Sequence, residues 1–206
     1  MGLWEQKVVP RLVDRSLRAP EIGQLRTAVC AGLRGEVLEI GFGSGLNARY
    51  YPREVTSVDA VEPSDLAWQL SDARRREGRV PVNRVGLDGQ RLAAEDASYD
   101  VVLSTFTLCT IPDVAGALAE VRRVLRPGGS LHFVEHGLAP EPGVVTWQRR
   151  LDPVQRRLAG GCHLSRDIPG LVRGAGLRIV ELRAEYLPGP RVSRPWTYGY
   201  LGRATA

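Results

Sequence analysis

The chain has 206 residues, 43% of them hydrophobic and 25% charged, a balance that excludes a disordered, coiled-coil or collagenous protein. The formal net charge is +5, but Lys7 is the sole lysine among 28 basic residues, so the arginine excess reads as compositional skew and no nucleic-acid partner is expected. No apolar run reaches the ~18 residues of a membrane span, and the charged N-terminus lacks the apolar centre of a secretory signal. Cys30, Cys109 and Cys162 are scattered and odd in number, which predicts a reducing, cytoplasmic setting with neither a disulfide framework nor a metal site.

Residues 3–33 predict two helical stretches broken near Pro10 and Pro20, the second opened by Pro20-Glu21 and ended by Gly35. GEVLEIG is a short apolar run between glycines and reads as a buried strand. A glycine-rich turn at 41–45 leads into a short helix at 46–51, stopped by Pro52. Strands follow at Val55 to Glu62, Val80 to Val85 and Tyr99 to Thr105, with a helix at 65–77 capped by Ser64 between the first two. Asp113 caps a helix with one apolar stripe, Val114, Ala117, Leu118, Val121, Val124 and Leu125, and Pro127-Gly128-Gly129 stops it before a fifth strand at 130–136. Beyond residue 140 the chain reads as helices at 144–158 and 168–174, then strands at 177–187 and in the final RPWTYGYLGRA. Alternating strands and helices predict one α/β domain over residues 1–206, a lid of N-terminal helices (1–33) on a mostly parallel sheet (34–206). Such sheets bind ligands beyond the C-terminal strand ends, at the switch in strand order.

Three strand ends carry chemistry. In Glu39-Ile40-Gly41-Phe42-Gly43-Ser44-Gly45 the alternating glycines allow a tight turn and close approach of a ligand. The dinucleotide pattern needs glycine where Leu46 stands, and no phosphate loop is present, so a nicotinamide oxidoreductase is disfavoured. Glu39 offers a carboxylate to an ammonium group, which suits an amino acid better than a pyrophosphate. Glu62, at the end of the second strand, can accept from both hydroxyls of a ribose. Asp88, followed by Gly89, can accept from the exocyclic amine of a purine. Each has a plainer counterpart: a structural turn, a solvated strand end, an Asp-Gly turn. Together they lay out amine, ribose and base partners at successive strand ends.

These residues resemble class I S-adenosylmethionine (SAM)-dependent methyltransferases. LEIGFGSG (38–45) is similar to their first motif, AVEPS (60–64) to their ribose-binding acidic turn, DGQRLAAEDASYDVVLST (88–105) to their adenine-contact and fourth-strand region, and EVRRVLRPGG (120–129) to the helix and turn before their fifth strand. FVEHG, TWQRRLDP, GCHLSRD and PWTYGY are similar to the methyltransferase-like 7 thiol S-methyltransferases, whose animal members carry a hydrophobic N-terminal anchor with no counterpart in this sequence.

The resemblance implies a Rossmann-like, mostly parallel seven-stranded sheet flanked by helices. Glu39, Gly41, Gly43 and Gly45 then line the methionine part of SAM, Glu62 holds the ribose, Asp88 and Gly89 flank the adenine, and Ser104 and Thr105 lie near the sulfonium. The expected reaction is direct, metal-free methyl transfer to a small molecule, preferably a thiol. Methylation of quinone-precursor carbon or of a phospholipid head-group nitrogen are rivals, as is a noncatalytic SAM-binding sensor. His136 is the candidate base, with a structural histidine as its alternative. Trp4, Phe106, Trp147, Leu151 and Asp152 are candidate pocket residues, and Cys109 and Cys162 are expected to be inert.

Overall fold

The computed structural model describes residues 4–206, so the helix expected from residue 3 begins just outside the described span. Seven strands form one sheet: β1 (Gly35–Ile40), β2 (Val55–Val61), β3 (Val82–Gly86), β4 (Tyr99–Thr105), β5 (Leu125–His136), β6 (Arg178–Tyr186) and β7 (Tyr198–Thr205). Their spatial order is β3-β2-β1-β4-β5-β7-β6. The first five strands run parallel, and β7 pairs antiparallel with both β5 and β6. This is the expected mostly parallel sheet. The order reverses between β1 and β4, which fixes the ligand crevice at their C-terminal ends.

The helices are α1 (Val9–Ser16), α2 (Pro20–Cys30), α3 (Asp65–Leu70), α4 (Asp72–Glu77), α5 (Val114–Val124), α6 (Pro142–Leu158), α7 (Ile168–Gly174) and the single turn α8 (Arg194–Thr197). The predicted caps form: Ser64 Oγ accepts from Ala67 N at 3.2 Å, and Asp113 Oδ1 accepts from Gly116 N at 2.9 Å. The helix expected over 65–77 is instead two, divided at Ser71, whose hydroxyl bonds back to the Trp68 carbonyl at 2.6 Å. The helix expected after the glycine turn is only the 3-10 turn Ala48–Tyr50. Asn47 precedes it and turns its side chain inward, so this turn presents no helix N-terminus to a ligand.

Strand alternation sorts the core into two clusters. Leu38, Ile40, Val102, Leu131 and Phe133 face one way and pack with Leu118 and Val121 of α5 and Val172 of α7. Val37, Val101, Leu103 and Val134 face the other and pack with Val29, Cys30 and Leu33 at the end of α2. Each fully buried side chain of this kind contributes about 1.5–3 kcal/mol. The same alternation puts Glu39, Thr105 and His136 on the α2 side, and Ser104 and Glu135 on the α5 side.

Candidate active site

At the end of β1 the chain turns through Gly41 and Gly43, with φ of 73° and 59°. A Cβ on Gly41 would stand 2.0 Å from Thr107 Oγ1, so both backbone and space demand glycine there. A Cβ on Gly43 would meet nothing nearer than the Gly41 carbonyl at 3.9 Å, which leaves the turn open on that side. Glu62 crosses to it: its Oε2 accepts from Gly43 N at 2.6 Å and its Oε1 from Ser64 N at 2.7 Å. Burial raises the pKa of this carboxyl, against the two N–H donors that favour its charge.

Behind the turn lies a buried polar cluster that the sequence motifs did not reveal. Asn47 Nδ2 donates to Glu39 Oε1 at 2.9 Å and to Thr105 Oγ1 at 3.0 Å. Arg26, reaching from α2, donates from Nη1 to Asn47 Oδ1 at 2.6 Å, and Tyr51 donates its hydroxyl to Glu39 Oε2. Arg26 Nε is buried without a hydrogen-bond partner among the described residues. Burial pushes the Glu39 carboxyl up to about 7, overriding the bonds from Tyr51 and Asn47 and the nearby Arg26 charge. α1 closes over the turn through Asp14, which accepts from Ser44 Oγ at 2.6 Å and pairs with Arg74 at 3.0 Å.

Asp88 lies exposed past β3, its Oδ1 accepting from Gln90 N and Nε2, both at 2.9 Å. Gly89 packs against β1: a Cβ there would stand 2.7 Å from Ile40 Cγ2. Ser104 and Thr105, paired in the sequence reading, separate. Thr105 joins the Asn47 cluster, whereas the fully buried Ser104 donates to Glu135 Oε1 at 2.8 Å on the opposite face. Glu135 also accepts from the backbone N–H groups of Thr107, Leu108 and Cys109 at 3.0, 3.0 and 3.2 Å. One carboxylate thus shapes the loop after β4, where Phe106 takes a left-handed φ of 55°.

Beyond that loop opens a cavity of about 460 Å³. Val13 of α1, Leu17 just after it, Ile22 and Leu25 of α2, Phe106, Val134, Leu187, Trp196 and Leu201 make its walls largely apolar. The N-terminal helices therefore supply part of its walls. Phe106 and His136 line it, whereas Trp4 and Trp147 lie outside its walls, 43% and 55% exposed. Trp4 donates instead to the Leu158 carbonyl at 3.2 Å, and Trp147 stacks near Arg150. Leu151 and Asp152 also lie outside the lining; Asp152 accepts from Leu164 N and Ser165 Oγ and so anchors the loop after α6.

At one end of this cavity Cys109, His136 and Cys162 meet, although the sequence spacing gave no reason to group them. Cys162 Sγ lies 3.7 Å from Cys109 Sγ and 3.4 Å from His136 Nε2. The contact with Cys109, reinforced by the His136 ring, lowers the pKa of Cys162, while the same contact and burial push Cys109 up. Burial works to lower the pKa of His136, but the Cys162 contact prevails and raises it.

A family profile described as a methyltransferase domain matches residues 38–133. The chain is 34% identical to the thiol S-methyltransferase TMT1B of Rattus norvegicus over 82% of this chain and 69% of that protein. It is 33% identical to the human thiol S-methyltransferase TMT1A over 82% and 72% of the two chains. A SAM-dependent methyltransferase structure from Thermotoga maritima superposes with a TM-score of 0.67 at 20% identity, covering 98% of this chain and 99% of that one. The chain belongs to the SAM-dependent methyltransferase family that includes the TMT1-type thiol S-methyltransferases.

Proposed function

We propose that this methyltransferase acts on small lipophilic thiols. The observation that carries the reading is the cavity of about 460 Å³ beside the ends of β4 and β5, walled mainly by apolar side chains, with Cys109, His136 and Cys162 on its lining and Arg183 and Glu185 as its charged rim from β6. Its volume suits a compact acceptor, and its apolar walls suit one without charge. The thiol activity of the TMT1 relatives supports the same acceptor class.

The residues fit SAM. The open side of Gly43 leaves space for a ligand, and the unpartnered Arg26 Nε supplies a donor for a carboxylate. SAM, when bound, supplies a methyl group on a positively charged sulfur. Glu39, with Gly41, Gly43 and Gly45, receives the amino acid end, and Arg26 answers its carboxylate. Glu62 keeps a lone pair on each oxygen for the ribose hydroxyls. Asp88 and Gly89 border the adenine, and Thr105, not Ser104, stands on the methyl-donor side. The protein's main contribution is alignment of the two reactants, worth roughly 7–11 kcal/mol in well-oriented systems.

His136 holds the acceptor's reacting end together with Cys162. Its Nε2 lies 3.4 Å from Cys162 Sγ, and that contact raises its pKa. An alkyl thiol, with a pKa near ~8.5, already carries some thiolate at neutral pH.

Incubation with methyl-labelled SAM and a panel of thiols, phenols and amines tests the reading. S-methylated product from the lipophilic thiols, above any transfer to oxygen, nitrogen or carbon, is the expected result. Preferred transfer to phenols or amines contradicts the thiol assignment, and tight SAM binding with no transfer at all identifies a sensor.

A further inference from the structure

We propose that Cys109, His136 and Cys162 form an open three-ligand site for a thiophilic divalent cation, zinc foremost, on the wall of the acceptor cavity. The three residues come from separate segments: the loop after β4, the end of β5 and the loop after α6. Their ligand atoms all lie within 4.8 Å of one another. The Cys162 sulfur lies 3.7 Å from Cys109 Sγ, 3.4 Å from His136 Nε2 and 3.6 Å from Nδ1. A tetrahedral zinc with Zn–S of about 2.3 Å and Zn–N of about 2.0 Å holds its ligand atoms about 3.5–3.8 Å apart. The side chains therefore need only small adjustments to close around an ion.

The backbone carrying these ligands is fixed by contacts independent of any metal. His163 N donates to the Cys109 carbonyl at 2.9 Å, directly tying the two cysteine loops together. Arg166 Nη1 reaches across to the carbonyls of Leu108 and Ile111, at 2.5 and 2.8 Å. Glu135 holds Cys109 N, and Asp152 holds Leu164 N and Ser165 Oγ. Packing alone explains buried cysteines, but not two sulfurs and an imidazole converging on one point of a cavity wall. Two cysteines and one histidine with a fourth position left open is a ligand set of catalytic zinc sites.

All three ligands line the cavity, so the fourth position opens onto the space assigned to the acceptor. The metal site stands without regard to the acceptor; what the fourth position holds rests on the thiol reading above. There an acceptor thiol coordinates through sulfur and releases its proton to solvent, as Cys109 and Cys162 release theirs on binding the cation. A sulfur lone pair then forms the new S–CH₃ bond as the C–S bond of SAM breaks, its electron pair remaining on the sulfur of S-adenosylhomocysteine. The cation's role is to fix the acceptor as thiolate, which the apolar walls alone do not.

Cobalt(II) titration of the full chain, kept reduced with a phosphine and stripped by a chelator, tests the site without any methyl acceptor. The expected result is one equivalent bound, with thiolate-to-cobalt charge transfer and the intense visible bands of four-coordinate Co(II). Cys162→Ser and His136→Gln, each checked for folding by SAM binding, should weaken binding more than about 100-fold, beyond what losing an outer-shell partner costs. Cys30→Ser, at the buried end of α2, should leave the spectrum unchanged. Only a weak six-coordinate spectrum, the same spectrum in the Cys162→Ser and His136→Gln proteins, or no binding at all overturns the site. Thiophenol added to the cobalt protein should shift the charge-transfer band; an unmoved band removes the acceptor from the fourth position. A protein that methylates thiols yet binds no cobalt fails here alone, whereas one that binds cobalt but methylates no thiol fails the acceptor reading alone.

Discussion

On the β1–β2 side of the crevice, short turns set backbone N–H groups and carboxylates. On the β5–β7 side the cavity is lined mainly by apolar side chains from the N-terminal helices, two loops and the antiparallel strands, with Arg183 and Glu185 of β6 and one sulfur–imidazole cluster among them. The first side is a polar cradle in which glycine at positive φ is required at Gly41, whatever the acceptor. The second is shaped by segments inserted after β4 and β5 and by the closing strands β6 and β7. A cradle for a fixed cofactor thus rests on local turn chemistry, while acceptor choice rests on how distant segments are brought together.

That division gives the variants an order. Glu135→Ala falls on the shared floor of both sides. It strands the N–H groups of Thr107, Leu108 and Cys109 and the Ser104 hydroxyl, so urea denaturation should report a loss of about 3–5 kcal/mol. A loss below about 1 kcal/mol would show that the loop holds its shape without this carboxylate. Glu62→Ala acts on the cradle alone: SAM affinity by calorimetry should fall about 10–100-fold while the acceptor KM stays unchanged. Unaltered SAM affinity rejects the ribose assignment.

The Glu39 carboxyl gives a smaller, graded effect through pH. Its pKa is raised from 4.5 to about 7, so the folded free protein binds this proton more tightly than the unfolded chain does. Its contribution to stability is fully present below about pH 4.5 and is lost as pH rises to about 7, where Glu39 ionises. Glu39→Gln should flatten that part of the stability–pH curve; a curve of unchanged slope contradicts the assignment. SAM affinity should run the opposite way, increasing as pH approaches 7, because the ionised carboxylate meets the ammonium group. The smallest effect belongs to Trp147→Ala. This exposed side chain lies outside the cavity, so stability should move by less than about 0.5 kcal/mol and acceptor preference not at all. A changed acceptor profile would extend the acceptor site onto the outer face of α6.

The residues of the glycine turn stand close together in the chain, Glu39 and three glycines in seven residues and Glu62 at the next strand end, so short-range pattern makes their proximity legible. Strand periodicity and caps such as Asp113 likewise made the sheet and α5 legible, since both depend on near neighbours. The cavity was largely invisible for the opposite reason. Cys109 and Cys162 share no motif spacing, and long-range bonds from Glu135, Asp152, His163 and Arg166 bring their loops together. Arg26 reads as an ordinary helix residue until α2 packs beside the glycine turn. Trp4 and Trp147 misled because aromatic size signals burial only when the helix face is known. Ser104 and Thr105 are neighbours in the sequence yet point to opposite sides of the sheet, as adjacent strand residues do.

A crystal structure with S-adenosylhomocysteine tests most directly whether cradle and cavity serve one reaction. The account predicts the amino acid end beside Glu39 and Arg26, the ribose on Glu62, and the sulfur turned toward the cavity end formed by Cys109, His136 and Cys162. A sulfur pointing away from that cavity, or a nucleoside bound off Glu62, would contradict it.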